Sequence, residues 1–258
     1  IVTSDKTSLQ PRFSPDGKSI AFLEDRGTLR VVDVKSHAVR TVMDGKYIFS
    51  YSDGDVWYEW SPDSRWLLSS YIGIGGWNNQ DIALVNASGN GEIHDLTQSG
   101  YNDGNGKWVL GGKAMIFESD RAGYRSHGSW GAEDDVYIMF FDLDAYEHFR
   151  MSKEEKELAE NAEKDKKKEK AEKEDKQSKK KKDDKKKGDK KSEEVKPLQF
   201  DLDNCRDRII RLTVNSSHLG DAVLSPKGDT LYYQASFEGG YDLWRHNLKE
   251  DKTEIVLK

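Results

Sequence analysis

The segment Asp120-Arg121-Ala122-Gly123-Tyr124-Arg125-Ser126-His127-Gly128-Ser129-Trp130 is the richest in groups that could do chemistry. Aspartate, serine and histidine together suggest an acyl-transfer triad. A triad, however, is assembled by geometry across a fold, and crowding within one short segment does not build it. Aromatic rings and arginines in a surface loop are better suited to contact than to catalysis. Arg121, Tyr124, Arg125, His127 and Trp130, with Trp77 from an earlier loop, are therefore the candidate residues for touching a peptide or a neighbouring domain. The alternative is that these rings pack on the edges of the sheets beneath them.

The remaining candidates carry less. The six histidines show no HExxH or HxH spacing, so no metal site is expected. Neither a GxSxG elbow nor a phosphate-cradling GxxxxGK[ST] occurs, and no cofactor is implied. Gly73-Ile74-Gly75-Gly76 follows a strand but opens no helix, which makes it a flexible connection. The single cysteine, Cys205, excludes an internal disulfide and a cysteine-based zinc site, and reads as an inert residue. Asp201-Leu202-Asp203-Asn204 lacks the glycine and distal glutamate of a calcium loop. Asn86-Ala87-Ser88 and Asn215-Ser216-Ser217 match the glycosylation triplet, a pattern common by chance. No residue is assigned a catalytic role.

The elements that must position these groups are legible in a repeat. Phe13-Ser14-Pro15-Asp16-Gly17-Lys18 recurs 47 residues later as Trp60-Ser61-Pro62-Asp63-Ser64-Arg65. A third copy is Leu224-Ser225-Pro226-Lys227-Gly228-Asp229, and a degenerate one, Val109-Leu110-Gly111-Gly112-Lys113, lies between. Proline fixes φ at the first turn position and the next two residues accept a tight bend, so each copy is a hairpin turn. An apolar strand follows each copy, and two more strands complete each unit. The third strands are 27–33, 81–85, 135–141 and 241–247; the fourth are 39–42, 92–96, 208–212 and 253–257. Four short strands at a near-constant period predict an all-β fold, a β-propeller with four visible blades. A β-sandwich would not repeat one turn at that period. Propellers usually close with about four to eight blades. Residues 1–258 are accordingly expected to be part of a six- or seven-bladed ring. The opening Ile1-Val2-Thr3, with no initiating methionine, reads as the tail of a strand in a longer chain.

Strands joined up and down divide the connections between two faces. Turns from first to second and from third to fourth strand share one face. Loops from second to third strand, and those between blades, share the other. The candidate contact residues fall on the second face.

Composition agrees with this reading. Glycine (22) far exceeds proline (5), and aromatics reach 10% of the 258 residues, as in turn-rich folds with large side chains to bury. No apolar run is long enough to cross a membrane as a helix. The net charge of −6 conceals two regions. Residues 152–196 interrupt the third blade between its third and fourth strands, and from Lys153 onward hold 19 lysines and 15 acids. That leaves 22 of the 41 basic and 32 of the 47 acidic residues elsewhere. A body so acidic argues against a nucleic-acid partner. The insert has no aromatic residue and only Leu158, Ala159, Ala162, Ala171 and Val195 as apolar ones, too little to offset its ordering entropy. Its Glu/Lys pairs over 153–176 suit a fraying helix, and its interleaved charges largely cancel within a Debye length.

Ser-Pro-Asp-Gly turns are shared with the TolB propeller and with propellers of prolyl-oligopeptidase relatives. Phe237-Glu238-Gly239-Gly240-Tyr241-Asp242-Leu243-Trp244, Phe117-Glu118-Ser119-Asp120-Arg121 and the Lys/Glu-rich insert are more specific. Together they resemble the second propeller of a bacterial tricorn protease homologue, over essentially the whole chain. The resemblance implies a large, homo-oligomeric serine peptidase of the tail-specific type that trims oligopeptides. In that family propellers filter and channel peptides, and the nucleophile lies in a later domain of the same chain. It further implies a cytoplasmic location, with the periplasm as the alternative. No position here matches the catalytic motifs, so none is carried over. Two other readings stay open: the propeller of a prolyl-oligopeptidase-type enzyme, followed by a GxSxG domain, and a TolB-like interaction module without enzymatic activity.

The composition of the insert makes it the expected point of proteolytic entry. Limited trypsin digestion should cut first between Lys153 and Lys196 and leave the blades intact; first cuts within the blades would contradict the partition.

Overall fold

The computed structural model describes residues 5–73, 76, 79–125, 127, 130–152, 154–156, 158–159, 161–162 and 195–258. Four antiparallel four-stranded meanders follow one another along the chain. The first comprises β1 (Ser8–Phe13), β2 (Ser19–Glu24), β3 (Thr28–Asp33) and β4 (Val39–Met43). The second is β5 (Tyr58–Trp60), β6 (Trp66–Tyr71), β7 (Asp81–Asn86) and β8 (Ile93–Asp95). The third is β9 (Asp103–Val109), β10 (Ala114–Ser119), β11 (Asp135–Phe140) and β12 (Ile209–Arg211). The fourth is β13 (His218–Leu224), β14 (Thr230–Ser236), β15 (Asp242–Asn247) and β16 (Lys252–Leu257).

The turn repeat acts through its serine. Ser14 Oγ donates to Asp16 Oδ1 (2.7 Å) and accepts from Ser19 N (3.0 Å). Ser61 does the same with Asp63 (2.6 Å) and Trp66 N (2.9 Å). In the third copy Lys227 stands where the aspartate would be, and Asp229 supplies the carboxylate to Ser225 instead (2.7 Å). The residue closing each turn is left-handed: Gly17, Ser64 and Gly228 have φ of 71°, 61° and 70°. Ser64 carries a Cβ there, a conformation glycine adopts without steric cost.

Side chains alternate across each strand, and the blades bury both alternating sets. In β6 and β7, Leu67, Ala83 and Val85 pack on Ala21, Leu23, Leu29 and Val31 of the first blade. Leu68, Ile82 and Leu84, one residue out of phase, pack on Met115, Phe117, Tyr137 and Met139 of the third. The other face of the third blade, with Ile116, Val136, Ile138 and Phe140, meets Leu224, Leu231, Tyr233 and Ala235 of the fourth. Strands buried on both faces are continuous apolar runs, whereas β14 alternates, with Tyr232 and Gln234 exposed. The first strands of successive blades are tied edge to edge. Trp60 Nε1 donates to Arg12 O (3.0 Å), Trp57 Nε1 to Gly106 O (2.9 Å) and Trp108 N to Glu59 Oε2 (2.8 Å).

The insert leaves and rejoins the third blade through ordered stems that the sequence reading did not anticipate. Helix α1 (Leu143–Arg150) is capped by Asp142, whose carboxylate accepts from Ala145 N (2.7 Å). Tyr146 and Phe149 lie against Phe140, with ring centroids 5.6 and 5.1 Å away. Of the helix expected over 153–176, Glu154, Glu155 and Lys156 are helical, while residues 163–176 lie outside the described residues. On return, Leu198, Phe200 and Leu202 form a strap. Phe200 meets Trp66, Trp108 and Phe141, while Leu198 N donates to Asp63 Oδ2 (2.8 Å). Gly112 lies beneath Leu198 with a φ of 92°, a left-handed backbone that favours glycine. Both stems sit on the Ser-Pro-Asp-Gly face, as the strand arithmetic requires. They meet at a clasp: Asp201 N donates to Phe141 O (2.9 Å), and the buried Arg208 donates to Phe140 O (3.1 Å), Asp201 O (2.7 Å) and Asp201 Oδ2 (2.8 Å). Among the described residues no helix is long and apolar enough to cross a membrane.

Arg208→Ala removes the side-chain bonds of the clasp, leaves the Asp201–Phe141 backbone bond in place, and takes the guanidinium donor from two carbonyls. It should lower Tm by roughly 5–10 °C, the shift that a net loss of about 2–3 kcal/mol makes in a domain of this size. Replacing 163–194 by a short Gly/Ser link should change Tm little, as melts followed by circular dichroism would report; an unchanged Tm in Arg208→Ala would refute the clasp.

Candidate functional site

The second-to-third-strand loops and the connections between blades meet on one face. Ile72 N donates to Tyr47 O (2.7 Å), Asp103 N to Gln80 O (2.7 Å), and Asp134 pairs with Ser217. The loop after β10 is folded hard on itself. Glu133 N donates to Tyr124 O (2.8 Å), and a Cβ on Gly123 would fall 2.0 Å from Glu133 O, which only glycine avoids. Arg121 does not point outward. Its guanidinium reaches both carboxylate oxygens of the buried Asp103 (2.8 Å each) and sits over the rings of Phe117 and Tyr137, 5.2 and 5.0 Å away. Arg125 donates to Asp120 Oδ2 (3.1 Å) and Asn79 Oδ1 (2.9 Å) and lies over Tyr101. The two arginines thus hold the loop in place. Tyr124, His127 and Trp130 remain on the surface, Tyr124 67% and Trp130 64% exposed. Trp77 lies outside the described residues, as do Ser126 and Ser129.

The same face carries exposed aromatics beyond the sequence-based set: Phe49 and Tyr51, edge to face at 4.7 Å, then Tyr101, Phe237 and Tyr241. Each sits in a connection that strand order assigns to this face. Reading only the longest loops overlooked them.

Beneath the rings lies a network of buried carboxylates. Asp81, which opens β7, accepts from Thr97 Oγ1 (2.9 Å) and Ser99 N (2.9 Å), and Thr97 Oγ1 accepts from Ile82 N (3.1 Å). The third blade repeats the device: Asp135 opens β11 and accepts from Thr213 Oγ1 (2.6 Å), which accepts from Val136 N (3.2 Å). An aspartate before the third strand and Leu-Thr after the fourth is its sequence signal, Asp81 with Leu96-Thr97 and Asp135 with Leu212-Thr213. Burial, and then repulsion from Asp81, pushes the Asp95 carboxyl up to about 6. Burial, and then Glu118, Asp120 and Asp135, pushes Asp134 up to about 7.

This chemistry is structural. Histidine rings with hydrogen bonds meet carbonyls or carboxylates: His94 with Glu92, His218 with Ala132 O, His246 with Leu212 O and Asp251. Burial raises the Cys205 thiol, which donates to Leu202 O (3.2 Å). Among the described residues no group of three or more His, Cys, Asp or Glu is placed to hold a metal ion.

The chain matches no family model and no curated protein. Solved structures do match. The tricorn protease aligns with 100% of this chain at a TM-score of 0.62 and 12% identity, over 23% of its own length. TolB from Acinetobacter baumannii aligns with 99% at 0.51 and 16%, over 45% of its length. The fold is that of a β-propeller. A TolB structure from Agrobacterium tumefaciens aligns with 99% of this propeller chain at 0.52 and 17%, over 63% of its length. The chain therefore spans less than two thirds of each of these proteins.

Asp134 yields a pH dependence of defined sign. Its folded value lies above the ordinary 3.8, so the folded state holds the proton more tightly and stability falls as pH rises from about 4 through 7. Asp134→Asn should raise Tm at pH 8 by about 2–4 °C, the shift that roughly 1 kcal/mol makes in a domain of this size. At pH 4 the variant should melt with the parent; a gap independent of pH would refute the assignment.

Proposed function

We propose that this chain is a non-catalytic part of a six- or seven-bladed propeller in a tricorn-like serine peptidase. Its loop face contacts oligopeptides, or a neighbouring domain, on their way to a catalytic domain elsewhere in the protein. One observation carries the reading. Arg121 and Arg125 of that face are engaged by Asp103, Asp120 and Asn79, while aromatic rings from the third and fourth blades and from the connections joining the first three stand exposed beside them. Tyr124 and Trp130 on the third blade, Phe237 and Tyr241 on the fourth, and Phe49, Tyr51 and Tyr101 between earlier blades give a surface suited to extended chains. The tricorn assignment draws support from the segments 117–121 and 237–244 and from alignment with tricorn protease along the full chain.

A TolB-like interaction propeller is the second reading, favoured by the two TolB structures at slightly higher identity. Fluorogenic peptides separate them. The isolated chain should hydrolyse none, and the whole protein should turn them over if it is a peptidase. In the whole protein, Tyr124→Ala with Trp130→Ala should reduce turnover or subunit assembly about 10-fold, the loss of roughly 1.4 kcal/mol of contact energy. Both properties unchanged, with the fold retained, would exclude a role for this face.

A further inference from the structure

On the opposite face, α1 and the Ser225–Thr230 turn of the fourth blade enclose a groove of about 940 Å³. Four lysines line it, each from a different segment. Lys113 precedes β10, Lys156 follows α1, Lys227 sits in the Ser225–Thr230 turn, and Lys249 joins β15 to β16. Asp144 and Asp229 are the acids of the groove, and Asp229 is already engaged by Ser225 Oγ (2.7 Å) and Thr230 Oγ1 (3.3 Å). Lys113 lies 3.6 Å from Asp142. Among the described residues Lys156, Lys227 and Lys249 form no ion pair.

Lys156 is held inward. Its ammonium donates to Phe149 O (2.9 Å) and lies 5.7 Å from the centre of the Phe149 ring. Burial, and then the nearby Lys249, depress its pKa below the ordinary lysine value, with Asp229 opposing. Two ammonium groups 93 residues apart in sequence line one groove with apolar walls, an arrangement that an anion bound there would relieve. Leu110, Phe149 and Pro226 put apolar surface between the charges. Separate point charges with apolar surface between them suit spaced carboxylates on an extended chain better than one compact phosphate, which planar arginine forks grip best.

We propose that this groove is a binding site for an acidic peptide segment, with Lys156 and Lys249 as its central contacts. The site lies on the face away from Tyr124 and Trp130, so it stands or falls independently of the role given to those residues.

A fluorescein-labelled decapeptide of Glu, Asp and Leu, titrated onto the whole protein and followed by anisotropy, tests it. Saturable binding is expected, weakened at least 10-fold by Lys249→Gln and by Lys156→Gln, and unaffected by Lys35→Gln on the first blade. The same peptide with Gln and Asn in place of the acids should not bind. Lys249 lies in a surface turn, so Lys249→Gln keeps the test decisive should Lys156→Gln loosen α1. Absence of saturable binding overturns the proposal, as does equal loss in Lys35→Gln and Lys249→Gln. Displacement of the peptide by inorganic phosphate at lower concentration than by free acidic peptide overturns it in favour of a simple anion site.

Discussion

Burial of both faces of the same sheet is the constraint on which this structure depends. Leu67 and Leu68 are adjacent in β6 and fully buried, yet they serve different interfaces, one toward the first blade and one toward the third. A strand in that position has no solvent side on which to place polar groups. The central strands consequently carry unbroken apolar runs, Leu67-Leu68, Ile82 to Val85 and Ala114 to Phe117, and their polar residues, such as Ser69, Ser70 and Ser119, gather toward one end.

That arrangement accounts for the unlike character of the two faces. At one set of strand ends the chain reverses through compact serine-centred turns, each satisfied by its own carboxylate. At the other, longer connections must be pinned, and the pins are buried aspartates matched to threonine hydroxyls or to arginine. Asp103 with Arg121 and Asp135 with Arg211 fix the connections, leaving aromatic side chains as what the face presents. Asp95 and Asp134, with carboxyls raised by burial, are the incompletely compensated members of this network.

The blades were legible because a turn with proline, aspartate and glycine advertises its own geometry, and because strand period shows directly in runs such as Ile82 to Val85. Even the substituted third copy could be found, although the carboxylate moved from its usual place to Asp229. The candidate face was legible in position but not in detail. Arg121 and Arg125 look identical to free contact residues in sequence, and only the placement of Asp103, Asp120 and Asn79 shows that they are engaged. The stems of the insert were missed because a charge-dominated composition masked short amphipathic pieces. Leu198, Phe200 and Leu202 alternate as a strand would, but pack as a strap across two blades. Helix α1 carries its apolar residues at 145, 146 and 149, a spacing too brief to stand out.

The clasp beneath the insert has a consequence for how such a protein can vary over evolutionary time. Phe141 and Asp201 are joined by a backbone hydrogen bond, so the 59 residues between them begin and end at one point of the blade. Closing a loop costs only about 0.6 kcal/mol more for each doubling of its length. Descendants can therefore lengthen, shorten or rewrite what lies between α1 and the Leu198–Leu202 strap, both of which pack on the blades, without disturbing the strand pairing beneath. The third blade behaves as a socket into which a lineage can plug a new appendage, and the sequence of the appendage is free to drift or be selected on its own terms.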